Sequence, residues 1–387
     1  MSSISTRIAT ELRGDRVLWA IIILLSMISM VAVYSAVANL AYRNSGGAVN
    51  GYIFKHGIIL GFGLVIVYIG HLLAYTKYSR WAPTMLIIAI ILLLLTQIFG
   101  TEINGAKRWL TIPGINLTFQ SSDFAKLALI IFVARAIGSK QDVIKDFREA
   151  FVPIILPVLC ICLLIALSDL SSAIMLFVIC ILMMVVGRVA MQYIVMLILL
   201  GISVFSILVM VGSKYPQLVP RAATWEKRIE TYFNPAAAKV DDRRQITGAM
   251  VAIANGGILG VGPGNSTQRH TLYSAQSDFI YSIIVEEYGA VGGILLISIY
   301  LLLFFRVIRL VTRSSKAFGA MVAFGIGLSL LLQAFLNIAV NLDLLPVTGL
   351  TLPLVSMGGT SLLFTCIALG ILMSVSKYIE AVTADAS

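Results

Sequence analysis

A chain that enters a bilayer must satisfy its backbone amides internally, and helices long enough to cross are one of the few ways to do so. This sequence supplies ten apolar runs of about the required 17–25 residues: about 17–38, 53–74, 83–99, 119–138, 152–168, 170–187, 191–212, 277–305, 317–340 and 351–376. Asp169 alone divides the fifth from the sixth. Hydrophobic residues make up 59% of the chain, charged residues 12%, and the mean hydropathy is +0.98, more apolar surface than one soluble core can hide. The expected fold is all-α: a polytopic integral membrane protein of about ten transmembrane helices. It forms a single membrane domain over 1–387, with a long extracytoplasmic loop, 213–276, between spans 7 and 8.

Lysines and arginines set the orientation. Arg7, Arg13, Arg16, Lys77, Arg80, Arg135, Lys140, Lys145, Arg148, Arg188, Arg306, Arg309, Arg313, Lys316 and Lys377 fall on one side. The short loops opposite hold Arg43, Lys55, Lys107 and Arg108. The N-terminal segment 1–16 and the tail 377–387 are therefore expected to be cytoplasmic. Residues 1–16 lack the short apolar core and small-residue cleavage site of a signal peptide, so the first span reads as an uncleaved anchor. Cys160, Cys162, Cys180 and Cys366 all lie in expected spans and read as small core residues, and His56, His71 and His270 are too scattered for a His-based metal centre.

Chemistry is expected where polar sequence meets the outer face, and four stretches qualify. In NGAKRWLTIPGINLTFQSSDFAK, residues 104–126, Asp123 and Lys126 share a helix face at i, i+3. They read as a neutralising pair inside the membrane. Lys107, Arg108 and Trp109 suit an interfacial anchor and a cationic grip on a phosphorylated ligand equally well. In ALSDLSSAIM, residues 166–175, Asp169 is either the N-cap of the following helix or part of a ligand site.

In the long loop, TWEKRIETYFNP, residues 224–235, has the pattern of an amphipathic helix on the membrane surface. The glycine-rich part of residues 243–270 is either a phosphate nest or an ordinary turn. Eight cations lie in 213–275 (Lys214, Arg221, Lys227, Arg228, Lys239, Arg243, Arg244 and Arg269), and they suit a lipid-linked diphosphate as well as anionic headgroups.

The fourth stretch, LYSAQSDFIYSIIVEEYG, residues 272–289, brings Asp278, Glu286 and Glu287 to the head of an apolar run, where charge is expensive. On a straight helix Asp278 and Glu286 lie about 12 Å apart along the axis and about 80° around it. That excludes a close dyad of the kind two-carboxylate hydrolases use, at about 5–9.5 Å. One carboxylate suffices when the leaving group departs as a stable anion, as in sugar transfer from a lipid diphosphate. Asp278 is then either that base or a helix N-cap. Glu286 and Glu287 are expected to be structural, pairing with arginines or lining a hydrated cavity.

These stretches together resemble the SEDS membrane glycosyltransferases, the cell-wall polymerases that include FtsW, RodA and SpoVE. GAKRWLTIPGINLTFQSSDFAKLA is similar to the family's GxxRW...FQPSExxK segment, SDLSSA to its PDLGTA turn, AQSDFIYSIIVEEYGAVGG to its TDFIF...EELG motif, and LLPVTGLTLPLVSMGGTSLL to its C-terminal signature. The likeness spans residues 14–377. Asp123 stands where the family has glutamate, Ser121 replaces a proline, and Met357 replaces the tyrosine of VSYGGSS.

The resemblance implies Asp278 as catalytic base and Arg108, Trp109, Lys126, Asp169, Arg243, Arg244, Arg269 and Ser277 as substrate-binding residues. Asp123, Glu286, Glu287, Pro353, Ser356, Gly358 and Gly359 follow as structural or cavity-lining. It further implies lipid II as substrate and undecaprenyl diphosphate as released product, in the bacterial inner membrane. A class B penicillin-binding transpeptidase and other divisome membrane proteins are the implied partners. Family members use or tolerate a divalent cation, Mg or Mn, which the sequence does not independently require. GNSTQR and LTLP resemble the division branch, FtsW, more than the elongation branch, RodA. A lipid II flippase, a proton-coupled transporter and a division scaffold are the competing readings.

Overall fold

The computed structural model describes residues 14–37, 49–103, 106–112, 117–214, 222–234 and 240–385. Arg7, Arg13, Arg43, Arg221 and Lys239 lie outside them. The described chain is mostly helical: α1 Arg16–Ala36, α2 Val49–Leu72, α3 Tyr75–Phe99, α4 Ser121–Ser139, α5 Val152–Ala166, α6 Leu170–Val186, α7 Met191–Lys214, α8 Ala222–Phe233, α9 Val240–Gly256, α10 Ile280–Arg313, α11 Ala317–Asn341 and α12 Thr360–Asp385. Among the described residues seven helices are long and apolar enough to cross a membrane: α1, α2, α3, α5 with the turn before it, α10, α11 and α12. Leu170–Val186 and Met191–Val204 are shorter apolar helices.

The remaining expected run became α4, which carries Asp123, Lys126 and Arg135. It tolerates them because it is buried along most of its length, packed by α3, α5 and α11. The other central helix, α11, is buried nearly all round, the face that carries Gln333, Asn337 and Asn341 included. At the periphery α2 exposes Phe54, Ile58, Phe62 and Val65. Its other face meets α12 so closely that a Cβ on Gly370 would lie 3.2 Å from the Gly70 Cα. Small residues permit such backbone approach between membrane helices.

Three expectations need correction. The all-α reading missed a three-stranded antiparallel sheet, β1 Thr101–Ile103, β2 Ala106–Ile112 and β3 Leu117–Gln120, in that order. Its residues are too few per segment for helices but rich in β-branched and aromatic side chains, which suit a pleated surface. The helix over the fourth expected run accordingly starts at Ser121, not 119. That over the tenth expected run starts at Thr360, not 351, because residues 342–359 form an irregular segment between α11 and α12.

The long apolar run after Asp278 is not one straight helix either. Gly289 has φ 69 and ψ −172, which kinks α10. The kink frees the carbonyls of Glu286 and Glu287, and these accept from Val261 N (2.9 Å) and Gly262 N (3.0 Å). Ala290 N in turn donates to Gly257 O at 2.9 Å. The two strands of backbone meet so tightly that a Cβ on Gly289 would lie 2.1 Å from Ile258 O. Here glycine is required both by its conformation and by the contact.

Candidate active site

A cavity of about 780 Å³ opens where β2, β3, α4, α6, α8, α11 and the irregular segments before α10 and α12 converge. Asp278, Ser277, Arg108, Trp109, Asp123, Lys126, Asp169, Gly358 and Gly359, which come from four separate motifs, all line it. So do Lys55, Arg228 and Gln333.

The sheet delivers the first cation. Pairing of Trp109 with Gln120 sets β2 beside the start of α4. From there Arg108 Nε donates to Ser168 O at 2.9 Å, and its Nη1 lies 3.5 Å from Asp169 Oδ2. Asp169 is also the N-cap of α6, accepting from Ser172 N (3.3 Å) and Ser172 Oγ (3.0 Å). Both sequence readings of Asp169 therefore hold at once: it caps a helix and faces the cavity. Asp123 and Lys126 form the anticipated pair, Nζ to Oδ1 at 2.7 Å. Asp123 Oδ2 is buried without a hydrogen-bond partner.

Asp278 precedes α10 and does not cap it; the N-cap is Phe279, which has no capping side chain. Its backbone is fixed from two directions. On one side its carbonyl accepts from Asn337 Nδ2 (2.8 Å) and Asn341 Nδ2 (3.0 Å). On the other, Ser356 Oγ donates to Ser277 O (2.6 Å), and Met357 N donates to Gln276 O (2.9 Å). The amide oxygen of Asn341 is engaged as well, accepting from Ser282 N at 3.1 Å and Ser282 Oγ at 2.6 Å. Ser282 N–H belongs to the first turn of α10, where no intrahelical acceptor exists. Asn341 thus caps α10 from a neighbouring helix.

Burial pushes the Asp278 carboxyl above its ordinary range. The Ser277 hydroxyl and the charges of Arg108 and Arg228 oppose that rise, while Asp169 adds to it. Burial pulls the Arg228 guanidinium down, as does Arg108, against Asp169 and Asp278. The result is a carboxylate more basic than a solvated one, facing a cationic wall.

Several expected site residues lie elsewhere. Arg243 pairs with Asp343 at 2.9 Å, Arg244 is exposed on α9, and Arg269 Nε meets His270 Nε2 at 3.2 Å. None of the three lines the cavity. Glu286 and Glu287 are buried, but the expectation of arginine partners or a cavity lining is corrected. Glu286 accepts from Ser266 Oγ, from Thr267 N at 3.2 Å and from Thr267 Oγ1 at 2.8 Å, and Glu287 accepts from Ser35 Oγ. They tie the glycine-rich loop and α1 to the kinked helix. Val261 N and Gly262 N in that loop are spent on carbonyls of α10, so they cannot also cradle a phosphate. Pro353 and Ser356 are structural: the Pro353 carbonyl accepts from the Tyr300 hydroxyl at 2.6 Å, and Ser356 Oγ also accepts from Leu352 N at 2.8 Å.

Sequence reasoning passed over Arg228 as a specific ligand and missed Gln333, Asn337 and Asn341. Arg228 sits on α8, whose docking is fixed by Arg228 Nη1 to Val347 O (2.8 Å) and Tyr232 OH to Leu344 O (2.9 Å). The three amides recur at i, i+4, i+8 on one face of an apolar helix. That spacing was a readable signal of buried polar work.

A resident divalent cation needs several oxygen donors free of other duties. Among the described residues no group of three His, Cys, Asp or Glu could hold one. Of the cavity's carboxylates, Asp123 and Asp169 are each committed to a cation. The protein by itself supplies no full cage for such an ion; Asp278 is the one cavity carboxylate without a cation partner among the described residues.

Comparison with known proteins gives a consistent answer. A family model described as "Cell cycle protein", covering FtsW, RodA and SpoVE, matches residues 15–381. The chain is 33% identical over 377 residues to a probable peptidoglycan glycosyltransferase FtsW of Geobacter sulfurreducens, covering 95% of this chain and 96% of that one. It is 34% identical over 371 residues to stage V sporulation protein E of Bacillus subtilis, covering 94% and 97%. Among solved structures, a chain from work described as structural coordination of polymerization and crosslinking by a peptidoglycan synthase complex superposes with a TM-score of 0.73 at 25% identity, covering 94% and 97%. The rod shape determining protein RodA of Thermus thermophilus gives 0.66 at 23%, covering 94% and 96%.

Proposed function

Because the chain belongs to the FtsW/RodA/SpoVE family of cell cycle proteins, we propose that it is a peptidoglycan glycosyltransferase that polymerises lipid II, with Asp278 as general base. One observation carries the reading. A buried carboxylate with a raised pKa lines the same cavity as Arg108, Arg228 and Lys126, so a proton acceptor and an anion-binding wall share one space.

The acceptor 4-hydroxyl loses its proton to Asp278 as its oxygen bonds to the anomeric carbon of the donor sugar. The bond from that carbon to the diphosphate breaks on the opposite face, inverting the centre from α to β. The electron pair leaves on undecaprenyl diphosphate, whose charge Arg108, Arg228 and Lys126 stabilise. A raised pKa makes Asp278 a stronger base than a solvated carboxylate. The departing diphosphate needs no proton, so one carboxylate is enough.

In this reading ten helices cross the bacterial cytoplasmic membrane, α4, α6 and α7 among them, with both termini cytoplasmic. The segment 213–276 belongs to the extracytoplasmic face, and from it Thr224, Arg228 and Ser274 line the cavity. The septal role and a class B penicillin-binding transpeptidase partner follow from the likeness to the FtsW branch. The test is stoichiometry: purified protein with its transpeptidase should release one undecaprenyl diphosphate per glycosidic bond formed. Transfer of lipid II across vesicles with neither bond formation nor diphosphate release would replace the enzyme with a flippase.

A further inference from the structure

A small annex of about 50 Å³ adjoins the cavity between α4, α11 and α12. It shares Asp123, Lys126, Gln333 and Ser361 with the large cavity, so these four mark its mouth. The remaining lining follows them along the same helices: Leu127 and Ile130 on α4, Leu330 and Ile326 on α11, Phe364 and Ala368 on α12. Ser329 and Thr365 are the polar exceptions, and the Thr365 hydroxyl is spent on Ser361 O at 3.0 Å. The annex thus has a polar mouth and a mostly apolar floor. It has room for about two waters, far too little for a sugar ring.

We propose that this annex is a specificity pocket for the N-acetyl group of the donor sugar. The proposal rests on the glycosyltransferase reading and adds which substituent is read, and by which residues. Charge narrows the occupant. The Asp123–Lys126 pair at the mouth is net neutral, and beyond its 2.7 Å contact Lys126 has further protons to give, while Asp123 Oδ2 is buried without a donor. An anion would face the carboxylate and a cation the ammonium, whereas a water or hydroxyl would leave the apolar floor unfilled. A secondary amide with one methyl group suits all three features. Its N–H goes to Asp123 Oδ2, which the broad χ2 of aspartate lets turn toward it; its carbonyl accepts from Lys126, and its methyl rests on Leu127, Ile130 and Leu330. Connectivity assigns the group to the donor. The N-acetyl group sits on the carbon next to the anomeric centre, so a cation that holds the departing diphosphate lies beside it. Lys126 lines both spaces and can serve both. The base is within a sugar's reach: Gln333 at the mouth is one turn of α11, about 5.4 Å, from Asn337, which donates to Asp278 O.

The test enlarges the substituent and the pocket in turn. Lipid II carrying N-butyryl in place of N-acetyl on the sugar that bears the diphosphate is compared with ordinary lipid II, in the complex with the transpeptidase. Two added methylenes overfill the annex, so wild type should use the butyryl substrate with kcat/KM about 100-fold lower. Leu330→Ala, which opens the floor, should narrow that ratio about tenfold or more by improving the butyryl substrate. Ala368→Leu, which fills the annex, should lower kcat/KM for ordinary lipid II about tenfold or more and leave the already excluded butyryl substrate within about threefold. Ratios taken within one preparation cancel any loss of folded protein. The same acyl change on the other sugar should gain nothing from Leu330→Ala.

A wild-type ratio near one, a ratio that both variants leave unchanged, or a gain on the other sugar instead would overturn the proposal. Kd for both lipids, measured on the same proteins, lets the two readings fail separately. Tighter binding of the N-acetyl lipid, lost in Ala368→Leu, by a protein that forms no polymer would sink the enzymatic reading and spare the annex. Normal polymer formed equally from both lipids would do the reverse.

Discussion

Replacing Asn341 with leucine probes how Asp278 is held without touching the cavity. The side chain is fully buried; leucine keeps its branched outline but is bulkier, so overpacking can only add to the cost worked below. The change removes bonds to Asp278 O (3.0 Å), Asn337 O (2.9 Å), Ser282 N (3.1 Å) and Ser282 Oγ (2.6 Å). Asp278 O keeps Asn337, and the Ser282 hydroxyl can turn toward the preceding helical carbonyls. Ser282 N–H has no alternative acceptor and stays buried. One orphaned donor costs about 1–3 kcal/mol, and the other lost bonds add about 1 kcal/mol net, for a total of about 3 kcal/mol.

Thermal unfolding in detergent should then fall by roughly 5 °C. Because the backbone beside the base loosens, kcat should drop about tenfold or more while KM stays within about threefold. Asn341→Asp keeps the acceptor for Ser282 but turns an oxygen toward two carbonyls, so it should recover part of the stability and little of the rate. A leucine variant with unchanged melting and unchanged kcat would refute the idea that Asn341 positions Asp278.

Other perturbations test separate parts of the structure. The Asp278 carboxyl is raised, and a general base must be ionised, so kcat/KM should climb with pH through a limb above the ordinary carboxylate range; Arg108→Gln removes an opposing charge and should move that limb to still higher pH, read as position and not height. Lys126→Met leaves Asp123 buried and unpaired, which should cost about 3–5 kcal/mol, whereas Asp123→Asn with Lys126→Met should recover most of the stability and none of the polymer yield. Gly289→Ala combines φ 69 with a Cβ 2.1 Å from a carbonyl oxygen, so expression and melting temperature should both fall, by an amount equivalent to about 3 kcal/mol or more.

Much of this was legible because membrane helices announce themselves by length and apolarity, and because charges in them are too costly to be casual. Asp123 with Lys126, Asp169 and Asp278 stood out for that reason, and all four line the cavity. What sequence could not supply was which distant segments meet. The eight loop cations look alike in a string; only the docking of α8 on residues 344–347 separates Arg228, which reaches the cavity, from Arg243, which is paired with Asp343. The glycines of 256–262 suggested an anion nest, since a glycine marks close approach without saying to what; here the neighbour is the kink at Gly289. Glu286 and Glu287 were flagged by their cost, yet their partners are serines and threonines of ordinary appearance. Asn337 and Asn341 escaped notice because amides are less conspicuous than charges, although their helical spacing was present in the sequence.

The central claim is that Asp278 takes the acceptor's proton. It is tested most directly by measuring kcat for glycan polymerisation and Kd for lipid II on the same preparations of wild type and Asp278→Asn, each in complex with the transpeptidase. Asparagine keeps the shape and removes the base. The account predicts kcat lower by roughly 10²–10⁴-fold with Kd within about threefold; equal turnover by both proteins would contradict it.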